Sequence, residues 1–122
     1  MGEGSGVEIL ADTAVLRLVG TIPLRDAASR VTDAILYART QGVGKLLVDA
    51  SMLDYSGEVT VAGSYFRIQE WARASEGHVR VAIVVRRLDP RRFGETVAAN
   101  SGLIGRAFTT DAEALEWLNA LS

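Results

Sequence analysis

Residues 45–57 read Lys45-Leu46-Leu47-Val48-Asp49-Ala50-Ser51-Met52-Leu53-Asp54-Tyr55-Ser56-Gly57, and this stretch decides how the rest of the chain is read. Its continuous apolar run, Leu46-Leu47-Val48, marks a strand covered on both faces. The strand ends in Asp49-Ala50-Ser51 and leads after a short gap into Asp54-Tyr55-Ser56-Gly57. Open α/β sheets place their working residues at the carboxyl ends of such strands. A local function therefore belongs near here. No catalytic motif of high specificity occurs anywhere, so the chain points to a fold and a class of role rather than to a defined reaction.

Outward from this strand, two hydrophobic periods alternate. Upstream, residues 7–10 and 14–19 are short β-type runs joined at Ala11-Asp12-Thr13 as an opening hairpin. After Gly20 the period becomes helical: Ala27, Val31, Ala34, Ile35 and Ala38 form one core face, and Gly42 and Gly44 stop the helix before the strand over 45–50. Downstream, Val61, Tyr65, Ile68 and Ala72 give a second amphipathic helix over 58–74, broken by Gly77. Residues 79–85 form a strand whose apolar end, Ala82-Ile83-Val84-Val85, suits a central place in the sheet. Asp89-Pro90 is an N-cap and first helical residue for a third helix to about Asn100. Residues 102–108 return to a short strand, and Thr110 with Glu113 has capping-box spacing ahead of Leu115, Leu118 and Leu121. The predicted order is ββαβαβαβα: a single α/β domain over 7–122, with a mixed sheet of about five strands and no internal repeat.

Composition narrows the function classes. At 122 residues the chain buries one core without staples. With no cysteine, disulfides, thiolate nucleophiles and Cys-ligated metals are excluded, and a reducing, cytoplasmic setting is compatible. Thirteen Lys and Arg against fifteen Asp and Glu give a net charge of −2, which offers no global attraction to nucleic acid or anionic membrane. The start, Met1-Gly2-Glu3-Gly4-Ser5-Gly6, has no signal-peptide pattern and reads as a flexible leader over 1–6. No apolar run approaches the roughly 20 residues of a membrane span.

The chain resembles the SpoIIAA-like proteins, a branch of the STAS (sulfate transporter and anti-sigma factor antagonist) superfamily. The resemblance runs from about Val7 to Leu121. It rests on Val15-Leu16-Arg17-Leu18-Val19-Gly20, on Leu46-Leu47-Val48-Asp49, on Arg80-Val81-Ala82-Ile83-Val84-Val85, and on the ending around Phe108-Thr109-Thr110-Asp111 and Leu115-Glu116-Trp117-Leu118. It implies a STAS-like mixed sheet with helices packed largely on one side. It also implies a bacterial regulatory protein that binds a protein partner, a kinase or anti-sigma-like factor, and no cofactor. In anti-sigma factor antagonists a serine before the helix after the middle strand is phosphorylated by the partner kinase, and the unmodified form sequesters that partner. Asp54-Tyr55-Ser56-Gly57 resembles the Asp-Ser-Ser-Gly phosphorylation motif, with Ser56 preceding glycine. Tyr55 replaces the first serine of the motif, and Asp54 follows Asp49 more closely than in those antagonists. Asp49, Asp54, Tyr55, Ser56 and Gly57 are thus the candidate regulatory residues, with Ser51 as the alternative acceptor. A phosphate at a helix N-terminus meets free N–H donors and changes the surface a partner meets. Asp54, Ser56 and Gly57 equally suit a plain turn and helix cap.

Two further patches stand out. Arg86, Arg87, Arg91 and Arg92 surround Leu88-Asp89-Pro90 just past a strand end, a place to clamp a phosphate or an acidic partner, or simply solvated loop arginines. Tyr65, Phe66 and Trp71 sit close together on the second helix, and residues one apart cannot share its buried face. Phe66 off that face would mark an apolar-ligand surface or a homodimer contact; alternatively it lies under a loop. An apolar, lipid-like ligand carrier is therefore the alternative to a protein-interaction module.

Catalysis has little support. His78 is the only histidine and lies in a turn outside any nucleophile-elbow context, and one histidine without cysteine cannot build the usual zinc site. Asp12, Asp49 and Asp54 carry no metal-binding signature. Gly42-Val43-Gly44 precedes a strand, whereas phosphate-binding glycine loops open helices. The sequence reading is a non-enzymatic module without metal, cofactor or nucleic-acid partner.

Overall fold

The computed structural model describes residues 6–56, 61–88 and 100–120, leaving aside the side chains of residues 55, 56, 61, 62, 64 and 65. Five strands, β1 (Val7–Leu10), β2 (Thr13–Pro23), β3 (Lys45–Ser56), β4 (Arg80–Val84) and β5 (Gly105–Phe108), line up in chain order as one sheet. The β1–β2 hairpin is antiparallel, and every later neighbour is parallel, so the sheet is mixed. The described helices are α1 (Leu24–Thr40), α2 (Val61–Ser75) and α3 (Asp111–Ala120). The helix predicted from Asp89 falls outside the described residues except at its end, where Asn100 and Ser101 are helical.

Strand alternation divides the core. Ala14, Leu16 and Leu18 of β2, Leu46 and Val48 of β3, and Val81 of β4 point to the side that α1 covers with Ala27, Val31, Ala34, Ile35 and Ala38. Ile68 and Ala74 of α2 join the same cluster. Val15, Leu47, Ala82 and Val84 point to the other side and meet Ala114 and Leu118 of α3. Two of the three described helices thus share one face.

Each boundary has a local cause. The α1 helix stops in a Schellman motif: Val43 N–H donates to Ala38 O at 2.8 Å and Gly42 N–H to Arg39 O at 3.0 Å. Gly42 supplies the left-handed residue, at φ 71°. Arg39 then reaches across to the end of α2, donating to Ala74 O at 2.7 Å, and the Trp71 indole donates to Ala28 O at 3.2 Å. The expected capping box forms at α3, where Glu113 N–H donates to the Thr110 hydroxyl oxygen at 3.2 Å.

The middle strand corrects the sequence reading. It does not end at Ala50 but continues to Ser56, pairing Asp54 with Thr21 and Ser56 with Pro23. Asp54 and Ser56 are therefore strand residues and not a turn and cap; Gly57 lies outside the described residues. The continuation depends on a bulge, because Arg17 pairs with Asp49 while Val19 pairs with Met52. One extra residue on β3 flips its alternation, so Leu53 joins Val48 on the α1 side although the two are five residues apart.

Candidate functional site

Parallel β–α connections bring the start of each helix to the carboxyl end of the strand before it. Pro23 of β2 leads directly into α1, β3 leads towards α2, and β5 leads into α3. Three helix N-termini, each with unsatisfied N–H groups and a positive dipole end, therefore gather at the end of the sheet where residues 49–56 lie. The opposite end collects the helix C-termini. There Arg80 donates to Leu118 O at 3.3 Å, and Lys45 bridges Asp12 and Asn119 at 2.8 and 2.9 Å. Asp12, Lys45 and Arg80, with Gly42, Gly44, Gly77 and His78, line an open cleft of about 560 Å³. His78 is exposed at its rim.

Asp49 is half of a local clasp. Its Oδ1 accepts the Ser51 hydroxyl at 2.6 Å and the Ser51 amide at 3.1 Å, and its Oδ2 accepts Arg17 Nη1 at 2.7 Å. Arg17 also lies 3.6 Å from Asp111 at the start of α3. Burial pushes the Asp49 carboxyl up, but the Ser51 hydroxyl and amide and the Arg17 guanidinium outweigh it, so the group sits below the usual aspartate range. Asp49 is thus an acceptor that closes the bulge through Ser51 and ties it to Arg17.

Arg86 makes the second link. Beyond Val84, β4 no longer runs beside β3, and Arg86 Nη2 donates to Leu53 O at 2.7 Å and to Asp54 Oδ1 at 3.0 Å. The guanidinium covers the edge of β3 where a strand would otherwise pair. Arg86 and Asp54 are 63% and 69% exposed, so the pair lies at the surface. Arg87 is exposed beside it; Arg91 and Arg92 lie outside the described residues.

Between these polar links sits an apolar pair. Val19 and Met52 are register partners on β2 and β3, on the face that α3 covers further down, and they are 64% and 67% exposed. Sequence reasoning missed them, because it ends the strand at Ala50 and leaves Met52 in a gap. It missed Arg17 because the pairing with Asp49 is a contact across 32 residues. The available signal was the odd spacing between Val48 and Leu53, both apolar in a strand of period two.

The aromatic residues do not share one face. Trp71 is half-buried against α1, while Phe66 is 68% exposed. Five residues apart, they point about 140° from one another around the helix. The Tyr65 side chain lies outside the described residues, as do the side chains of Tyr55 and Ser56. Trp71 instead walls a small apolar cavity of about 90 Å³ with Leu18, Ala28, Val31, Leu53 and Ile83. Among the described residues, no three His, Asp or Glu side chains come together to hold a metal ion. Among the described residues, no helix is long and apolar enough to cross a membrane.

This arrangement is similar to that of the anti-sigma factor antagonist SpoIIAA. Its structure in the unphosphorylated form matches with a TM-score of 0.56 at 18% identity, covering 95% of this chain and 96% of that one. The phosphorylated form of SpoIIAA, a Bacillus cell fate determinant, matches with a TM-score of 0.48 at 18% identity, covering 91% and 96%. No family model and no curated protein matches the sequence. The chain therefore shares the fold of that solved structure, an α/β arrangement built on a five-stranded mixed sheet.

Proposed function

We propose that this chain is a non-enzymatic regulatory module that works by binding a protein partner at the carboxyl end of its parallel strands, and that phosphorylation of Ser56 switches the contact. The observation that carries this reading is the composition of that end. Three helix N-termini favour an added anion there. The exposed Val19–Met52 pair supplies an apolar centre, and the Arg17–Asp49–Asp111 and Arg86–Asp54 groups supply a charged rim. The similar solved structure is of an anti-sigma factor antagonist in its unphosphorylated form, which supports a kinase or anti-sigma-like partner. The test is to tag the chain in its own host and compare the parent with Ser56→Asp and Met52→Asp. A partner held by the parent and released by both variants supports the reading. One that survives both changes refutes this surface.

A second reading is favoured by the cavity between α1 and α2, whose lining is almost wholly apolar. At about 90 Å³ it is smaller than the roughly 150 Å³ engineered cavity that holds benzene. A lipid-like ligand therefore requires α2 to move outward. Quenching of Trp71 fluorescence by a brominated fatty acid, abolished in Leu53→Trp, would support a carrier.

A further inference from the structure

The two faces of the sheet are unequally covered. Among the described residues α1 and α2 share one face, and α3 lies alone on the other, over Val15, Leu47, Ala82 and Val84. One flank of α3 closes the β5 side, where Trp117 packs on Phe108 at 5.8 Å between ring centroids. The opposite flank carries residues 111, 115 and 119, which are four apart and so form one row. That row faces β2. Asp111 lies 3.6 Å from Arg17, and Asn119 accepts from the Lys45 ammonium, which also binds Asp12 in the β1–β2 turn. Leu115, midway along the row, is exposed. On this side the sheet extends two strand spacings beyond β3, roughly 10 Å, and packed helices sit about 8–10 Å apart. Strands β1 and β2 therefore leave a lane one helix wide beside α3.

Four of the seven large apolar side chains exposed among the described residues border this lane: Leu10 of β1, Val19 of β2, Met52 of β3 and Leu115 of α3. Single exposed apolar residues are ordinary, but four on one face form a patch. Leu10 belongs to it because its alternate neighbours Val7 and Ile9 pack on the α1 side. The charge around the patch is acidic. Glu8, Asp12, Asp49 and Asp111 stand against two cations, and both cations are already engaged, Arg17 between Asp49 and Asp111 and Lys45 on Asp12. A second copy of this chain docked here about a two-fold axis sets the same acidic patch against itself, so like charge opposes self-association.

We infer that this lane takes one amphipathic helix of a protein partner, its apolar stripe on Leu10, Val19, Met52 and Leu115 and its flanks carrying Lys or Arg. The inference rests on the partner contact at Val19 and Met52 proposed above, and extends it from the carboxyl end of the strands back along β2. From Thr13 to Val19 the strand runs about 20 Å, which a helix of roughly 13 residues spans. Apolar residues three and four apart supply the stripe, and the basic flanks meet the carboxylates that border the lane.

The test places a photo-crosslinking benzoylphenylalanine at position 10, at position 115 or, as a control on the opposite face, at position 36 of the full chain in its own host, and sequences the crosslinked peptides. Positions 10 and 115 are expected to label one segment of another protein, amphipathic at helical spacing and carrying net positive charge, and position 36 is expected not to label it. Capture of that protein is expected to fall roughly tenfold in the double variant Leu10→Gln with Leu115→Gln, and about two- to fivefold in Glu8→Lys, each variant first shown to be folded by circular dichroism. Crosslinks from positions 10 and 115 to an acidic segment, to a second copy of this chain or to nothing overturn the inference. Capture lost in Met52→Asp yet unchanged in the folded double variant refutes the lane and leaves the contact at the carboxyl end standing. Capture unchanged in all of these variants refutes both.

Discussion

Asp49 and Ser51 are joined by two hydrogen bonds within β3, hydroxyl to carboxylate at 2.6 Å and amide to the same oxygen at 3.1 Å. This clasp accommodates the extra residue of the bulge, and so decides which face Met52, Leu53 and Asp54 present. Removing the carboxylate leaves the Ser51 amide unsatisfied in a half-buried position and Arg17 without its nearer partner. Asp49→Ala is expected to destabilise the fold by about 1–3 kcal/mol in urea unfolding. Ser51→Ala, which keeps the amide bond, should cost less.

The same clasp sets an acid limit. The folded pKa of Asp49 is lowered, so the unfolded chain binds the proton more readily and acid favours unfolding. The stabilisation is complete above the ordinary aspartate pKa of 3.8 and is lost as pH falls below it through the folded value. Asp12, held down by its hydrogen bond to Lys45, acts in the same direction and window. The urea midpoint of the parent should therefore drop below about pH 4, with a shallower drop in Asp49→Asn. An equal drop in both would assign the acid sensitivity elsewhere.

Gly20 lies inside β2 at φ 92°, with open space where a Cβ would stand. Strain rather than a clash makes the position costly for other residues. Gly20→Ala should lower stability by about 1–2 kcal/mol, read as a shifted denaturant midpoint at unchanged slope.

Leu118 is wholly buried and anchors α3 on Leu47, Ala82 and Val84. Leu118→Ala is expected to cost about 2–5 kcal/mol. Met52→Asp, on the exposed strand pair, should leave the melting temperature within a degree or two while abolishing partner capture. Opposite responses of the two variants would separate support of the fold from recognition.

Much of the architecture is legible in the sequence because each element carries its own punctuation. The Ala27–Ala38 stripe, the Gly42 stop and the Thr110–Glu113 box all reappear as geometry. The bulge was not legible. Asp49-Ala50-Ser51 has the polar character of a strand end, and only the internal bond from Ser51 to Asp49 lets the strand run on to Ser56. The site suffered from the same blind spot. Arg86 and Asp54 were singled out separately, on chemistry, but their pairing is a long-range contact across 32 residues that periodicity cannot report. Val19 and Met52 look like ordinary core residues until the flipped alternation exposes one and the end of α3 exposes the other.

The most direct measurement is native mass spectrometry of the chain isolated gently from its own host, followed by fragmentation to locate any added mass. The account predicts two populations: an unmodified chain bound to a protein partner, and a free chain carrying one phosphate at Ser56. A partner bound equally to both forms, a phosphate at Ser51 instead, or only a bare unmodified chain would contradict it.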